Sequence, residues 1–167
     1  VFHFLRVDHA LGFFRIFSFP WRPEENDIFT NLTPEEAAAR TGGRLPGFVE
    51  HDDSTAENRE RNRFQGEMLF RVFLEETGPQ RLIAEDLGEV APYVRPTLAA
   101  LEVPGFKIPQ WERKPDGEMI PGSEYQALSL ATFATHDHPP IRQMWNDLLA
   151  DCPDPAKREA AELAMRE

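Results

Sequence analysis

Cysteine is all but missing from this 167-residue chain, where Cys152 stands alone. A single thiol can neither close an intramolecular disulfide nor supply a cysteine zinc site, and it fits a reducing, cytoplasmic setting. Long apolar runs are missing too: no segment approaches the ~18 consecutive apolar residues of a membrane span. Positive charge is scarce, with Lys and Arg totalling 18 against 29 Asp and Glu, a net charge of -11 and a pI ≈ 4.9. Such a surface repels polyanions, which argues against nucleic acid and acidic membranes and suits a neutral substrate. The sequence opens on Val1 and Phe2 without an initiator Met, and no basic stretch runs into an apolar signal core. The expectation is an internal piece of a longer protein. What remains is 41% hydrophobic, enough for a globular core.

Three stretches share one form. Phe4-Leu5-Arg6-Val7-Asp8-His9, Ile83-Ala84-Glu85-Asp86-Leu87-Gly88 and Leu130-Ala131-Thr132-Phe133-Ala134-Thr135-His136-Asp137-His138 each end an apolar run with an acid beside a histidine or a second acid. Polar residues at the exit of buried strands are how a parallel β/α scaffold presents an active site.

Between these stretches the pattern alternates. Phe2 to Val7 reads as a strand covered on both faces. The aromatic run from Leu11 to Pro20 is either core or the wall of a sugar-binding cleft. Residues 20–54 read as a long loop insertion, a candidate lid, with one short helix that Thr33, Pro34 and Glu36 begin and Gly42-Gly43 end. From Thr55 to Gly78 the period is helical. Phe64, Met68, Leu69, Val72 and Phe73 share one face, and Arg59, Arg63, Glu67, Arg71 and Glu75 mostly take the other as a solvated surface. Arg81 to Ala84 forms the second strand, and strand, excursion, helix and strand make a βαβ unit with parallel strands.

The cycle then repeats. Pro92 to Leu101 is a helix that Pro96 would kink or break, Pro104 to Trp111 a third strand, and Lys114-Pro115-Asp116-Gly117 a turn. Leu128 to Ala134 is a fourth strand. Pro139-Pro140 opens a helix through Leu149, and Asp154-Pro155 begins the last one. The fold class is α/β, about half of a (β/α)8 TIM barrel, which takes ~250 residues when whole. An open doubly wound sheet is the alternative.

Breaking a glycosidic bond requires two carboxyl groups, one to protonate the leaving oxygen and one to meet the developing oxocarbenium ion. Asp8, Glu85 and Asp137 stand at the ends of three predicted strands and are the candidates. An acid in that place is also commonly a helix N-cap or an ion-pair partner. Arg6, two residues before Asp8, points to the same side of the strand and would keep that carboxylate ionised. Burial among aromatics would favour the protonated form that a proton donor such as Glu85 needs. Asp86 points elsewhere and reads as a helix cap or the partner of a cation. A competing chemistry uses Asp8, His9, His136, Asp137 and His138 as metal ligands, because His136 and His138 have the spacing found in barrel hydrolases. Against it, Pro139-Pro140 follows that pair directly. Trp111 and Trp145 could stack on sugar rings, with the core favoured for Trp145; Trp21 is a candidate cover.

Arg6-Val7-Asp8-His9, Ala84-Glu85-Asp86-Leu87-Gly88 and Thr135-His136-Asp137 together resemble the three catalytic segments of the 4-α-glucanotransferases, the amylomaltase or disproportionating-enzyme family (glycoside hydrolase family 77). The flanks agree: Leu11-Gly12-Phe13-Phe14-Arg15-Ile16, Val103-Pro104-Gly105-Phe106-Lys107 and His138-Pro139-Pro140-Ile141-Arg142. The resemblance implies retaining transfer of α-1,4-glucan units between malto-oligosaccharides, without metal or organic cofactor. Asp8 would be the nucleophile, Glu85 the acid/base and Asp137 the group that holds the sugar hydroxyls. Arg6, His9, His136 and Trp111 would bind substrate. Ala10-Leu11 and His138-Pro139-Pro140 look more like the plant cytosolic branch and its bacterial relatives, which implies maltose as glucosyl donor. The resemblance also implies that residues 1–167 are the C-terminal portion of a catalytic barrel whose first strands are not in this chain. An α-amylase-type hydrolase and an inactive glycan-binding fragment are the other readings. Oligomeric state is not legible.

Overall fold

The computed structural model describes residues 3–164; the predicted start of the first strand at Phe2 lies outside them. The fold is mixed α/β. Two compact units divide the chain, one of Val1–Phe106 with Gln126–Leu130 and the other of Lys107–Tyr125 with Ala131–Glu167.

In the first unit β1 (Leu5–Val7) is followed by a 3-10 turn at Ala10–Phe13 and by β2 (Ile16–Ser18). The excursion then carries α1 (Asn26–Phe29), α2 (Pro34–Arg40) and β3 (Gly47–Val49). The long helix α3 (Ala56–Thr77) leads into β4 (Leu82–Ala84), and α4 (Val94–Ala100) follows. As the βαβ pattern requires, β1 and β4 pair in parallel, Leu5 opposite Leu82 and Val7 opposite Ala84. The Ala84 amide then donates to the Pro104 carbonyl at 2.9 Å, next to β5 (Gly105–Lys107). β5 pairs in turn with β6 (Ser129–Ala131). Every strand is three residues long; β1, β4, β5 and β6 are shorter than the runs that predict them, β2 and β3 form where no strand is predicted, and the described strands make three two-stranded sheets rather than one continuous sheet.

The excursion is less loop-like than its composition suggests. β3 returns antiparallel to β2, with Phe17 opposite Phe48, so residues 20–46 are bridged by a ladder at their base. The α2 cap forms as its sequence predicts, with Thr33 and Glu36 each accepting the other's backbone N–H. Pro96 neither kinks nor breaks α4, because it falls in the first turn, where a helix amide has no internal partner to lose.

Helix α3 corrects the sequence reading. Phe64, Met68, Leu69 and Val72 are exposed, and the buried positions are Asn62, Gly66 and Phe70. The helix packs through its smallest residue. A Cβ at Gly66 would lie 2.1 Å from the Phe14 ring, so only glycine lets that ring rest on the helix backbone. Phe70 is fully buried there and meets Phe13 edge-on at 5.9 Å and Phe14 at 6.0 Å. The aromatic run after β1 thus divides: Phe14 is core, whereas Ile16, Phe17 and Phe19 are exposed. Around this contact Val7, Ala10, Leu82, Ala84, Val94, Leu98 and Val103 complete the core directly beneath the β1 and β4 ends.

The second unit is held more locally. Gly117, at φ +88°, closes the predicted turn by donating to Lys114 at 2.9 Å. The segment after β6 is tied by Thr132, whose amide donates to the Lys107 carbonyl at 3.0 Å, and by Gln110, which donates to the Phe133 carbonyl. Two amphipathic helices, α5 (Ile141–Ala150) and α6 (Pro155–Ala164), follow. Trp145 is half-buried on α5.

Candidate active site

The end of β1 and the end of β4 are neighbours because the strands pair in parallel. Glu85 donates its amide to the Val7 carbonyl at 2.9 Å, one step past the last paired residues, and so stands beside Asp8 on the adjacent strand. Beyond Asp8 the chain turns at His9, whose φ of +46° is left-handed. That turn sends two successive amides back across the gap. The His9 N–H donates to the Glu85 carboxylate at Oε2 (2.9 Å), and the Ala10 N–H donates to the Glu85 carbonyl (2.9 Å). The two strand ends are therefore cross-linked through the side chain and the backbone of one acid. Gly12 permits the arrangement, since a Cβ there would lie 2.8 Å from the His9 ring.

Arg6 pairs with Asp8, as their spacing on one side of the strand predicts, and its guanidinium lies 5.4 Å from the centre of the Phe106 ring. Asp8 and His9 are exposed and Glu85 is half-buried. Asp86 turns inward instead. Its side chain is 4% exposed and accepts from Arg95 Nε at 2.9 Å and from the Phe106 backbone N–H at 2.7 Å. Of the two readings of this acid, the ion pair is the one that forms. A Cβ at Gly105 would lie 2.6 Å from the Asp86 carboxylate oxygens, so glycine at the start of β5 makes room for this buried charge.

His136, Asp137 and Trp111 belong to the second unit. His136 Nε2 lies 3.2 Å from Asp137 Oδ1, and both side chains are exposed. Trp111 is exposed, with its ring 4.8 Å from that of His138. His138 closes a turn: its Nδ1 accepts from the Thr135 amide at 3.2 Å and lies 3.0 Å from the Thr135 hydroxyl. Among the described residues no three His, Cys, Asp or Glu side chains are grouped to hold a metal ion. No described helix is long and apolar enough to cross a membrane.

Sequence reasoning missed the polar cluster that anchors the end of the excursion. Asp53 accepts from Arg15 at 2.9 Å, from the Tyr93 hydroxyl at 2.9 Å and from Asn62 Nδ2 at 3.0 Å. Arg15 also lies over Phe48, 3.7 Å from its centroid. The three partners stand nine to forty positions from Asp53, and no local pattern links them. The one available signal is Asn62, a short amide in the middle of a long helix, where such residues are unfavourable unless they bond elsewhere. Burial pushes the Tyr93 phenol up to about 12, reinforced by its hydrogen bond to the Asp53 carboxylate.

The chain resembles known proteins along almost all of its length. The family model described as 4-alpha-glucanotransferase, of glycoside hydrolase family 77, matches residues 1–166. The 4-alpha-glucanotransferase of Chlamydia caviae is 43% identical over 65 residues, 38% of this chain and 12% of that protein. That of Chlamydia pneumoniae is 42% identical over 65 residues, with the same coverage. Among solved structures, an amylomaltase from Streptococcus agalactiae in complex with acarbose aligns with a TM-score of 0.53 at 21% identity, covering 98% of this chain and 26% of that one. The aligned part thus spans about an eighth of the curated relatives' length, and the chain covers about a quarter of the solved structure. With the motifs, the parallel strand pair and this match in agreement, the chain belongs to the 4-alpha-glucanotransferase family.

Proposed function

We propose that the chain carries the catalytic acids of a retaining 4-α-glucanotransferase, within a portion of a (β/α)8 barrel that other strands complete. The observation that carries this reading is the cross-linked pair of strand ends, where Asp8 and Glu85 stand on adjacent parallel strands and the His9 amide holds the Glu85 carboxylate. Retaining chemistry places its two carboxyl groups ~5 to 5.5 Å apart. Neighbouring strands lie ~4.7–4.9 Å apart, so acids at adjacent ends suit that separation.

In the first step an Asp8 oxygen bonds to the anomeric carbon as the bond from that carbon to the 4-oxygen of the next sugar breaks. Glu85 gives its proton to the departing oxygen. In the second step the 4-hydroxyl of an acceptor glucan gives its proton to Glu85, and its oxygen bonds to the anomeric carbon as the bond to Asp8 breaks. Atoms and charge return to the starting state, and two inversions give retention. Arg6 orients Asp8 through their ion pair. The family resemblance assigns Asp137 and His136 to hydrogen bonds with sugar hydroxyls, and His9 and Trp111 to substrate contact. The streptococcal amylomaltase was solved in complex with acarbose, which supports a carbohydrate substrate for this chain.

The test uses the natural polypeptide that contains this chain, incubated with maltotriose. Longer and shorter oligomers are the expected products, and glucose and maltose alone would mean a hydrolase. Glu85→Gln removes the transferable proton and lowers turnover by about 10²- to 10⁴-fold. Undiminished transfer by that variant would remove Glu85 from the mechanism.

A further inference from the structure

We infer that Asp86 is a positioning residue for the reaction, one that fixes the aim of the Glu85 carboxyl without itself touching substrate. This rests on the reading of Glu85 as the acid/base.

Asp86 directly follows Glu85, and its buried side chain is pinned by two neighbouring elements. From β5 the Phe106 amide donates to Oδ1 at 2.7 Å. From α4 Arg95 donates through Nε to Oδ2 at 2.9 Å and through Nη2 to the Asp86 carbonyl at 3.4 Å. The Ala84 amide already bonds the Pro104 carbonyl, so the carboxylate adds a second tie between the same two segments, two residues farther along each. Gly88, at φ +102°, then turns the chain away.

Glu85 is thereby held on both sides. Toward β1 its amide donates to the Val7 carbonyl, and its carbonyl and carboxylate accept from the Ala10 and His9 amides. Those bonds leave the peptide that joins Glu85 to the next residue to be fixed from the far side, and Asp86 fixes it. A misplacement of about 1 Å at a reacting group costs about 10²-fold in rate, so a clamp beside the acid/base bears directly on turnover.

A purely structural ion pair explains these contacts less well. Taking a carboxylate out of water is costly, and a buried pair is often no more stabilising than apolar side chains of the same volume. The fold also gives up a side chain at Gly105 to admit this charge. What the carboxylate supplies and an apolar residue cannot is direction, since each oxygen is bonded to a donor from a different element.

The test uses the natural polypeptide that contains this chain. Asp86→Asn keeps an oxygen for the Phe106 amide, so Phe106 stays beneath the Arg6 guanidinium and Asp8 is spared, but it sets an NH2 group against Arg95. Arg95→Met removes the same tie from a side chain that is 48% exposed, and it carries the same readings should Asp86→Asn not fold. With maltotriose each variant should lower kcat by about tenfold and change KM by less than about twofold. α-Maltosyl fluoride then locates the loss. Fluoride leaves with little help from an acid as an Asp8 oxygen bonds to the anomeric carbon, and azide can displace Asp8 from that carbon without giving up a proton. Azide should therefore speed turnover of the fluoride in both variants, as in Glu85→Gln, and not in the wild type. The inference is overturned if a folded variant keeps the wild-type kcat, if KM rises as much as kcat falls, or if azide restores nothing. Loss of the fold in both variants would make the pair structural and overturn it too. A wild type that transfers no glucan, or undiminished transfer by Glu85→Gln, would instead remove the acid/base reading, and this inference with it.

Discussion

Asp8 and Glu85 rise from a unit in which Val7, Leu82 and Ala84 of the strands themselves are buried against Phe14, Phe70, Val94 and Leu98. Asp137 rises from a unit whose described large apolar side chains, Ile108 excepted, are exposed or half-buried. Trp111, Met119, Phe133 and Ile141 are exposed there, and among its described residues Ile108 is the fully buried hydrophobic. The first unit fixes its rim by core packing. The second holds its acid by a turn, several backbone bonds and two amphipathic helices. A rim set by packing tolerates little change beneath it, whereas one set by local bonds takes its final shape from whatever covers its apolar face.

The widest contrast comes from truncating a ring in each unit. Phe70→Ala empties the centre of the aromatic cluster and should cost about 3–5 kcal/mol of unfolding free energy, read by chemical denaturation. Phe133→Ala, at a position 48% exposed, should stay within about 0.5 kcal/mol, as a surface change does. Equal losses would break the comparison.

Gly66→Ala should come next. Alanine favours a helix over glycine by about 1 kcal/mol, so propensity alone predicts a gain. The Cβ would meet the Phe14 ring at 2.1 Å, and overpacking of that kind costs about 1–3 kcal/mol. The net effect is a lower denaturation midpoint. A raised midpoint would show that Phe14 moves aside freely.

Asp86→Ala tests whether the rim depends on the buried carboxylate under β5. It leaves the Phe106 amide and Arg95 without their acceptor, a loss of about 1–3 kcal/mol. Unchanged stability would mean that water replaces it without cost.

These contrasts also separate what the chain's letters reveal from what they conceal. The alternation of strand and helix, the parallel pairing of β1 with β4, the Arg6–Asp8 pair and the Thr33 cap are legible, because each depends on residues a few positions apart or on a periodicity. The packing face of α3 is not. Its charged and apolar residues sort cleanly into two faces, yet the contact runs through Gly66, where an absent side chain admits a ring from fifty residues away. The Asp53 cluster is hidden for the same reason: Tyr93 and Arg15 are polar for a partner that no window of sequence contains. Asp86 falls between these cases. Its local setting suggests a cap or a cation partner, and only the fold selects Arg95.

The smallest effect is a pH dependence from that hidden cluster. Tyr93 stays protonated in the folded chain up to about 12, against 10.0 for a free phenol, because burial and the Asp53 carboxylate both disfavour the phenolate. As pH rises through 10 the unfolded chain releases this proton before the folded one does, so the unfolded state binds fewer protons and unfolding becomes easier. The contribution is therefore complete below pH 10 and disappears between 10 and about 12. Much of the ring remains near solvent, which keeps the effect modest. Tyr93→Phe keeps the ring without the titrating hydroxyl. Ultraviolet titration should lose its most alkaline phenolate step in that variant, and the alkaline fall in stability should become shallower. If both curves match the wild type, the Tyr93 hydroxyl does not pair with Asp53, and the anchoring of the excursion rests on Arg15 and Asn62 alone.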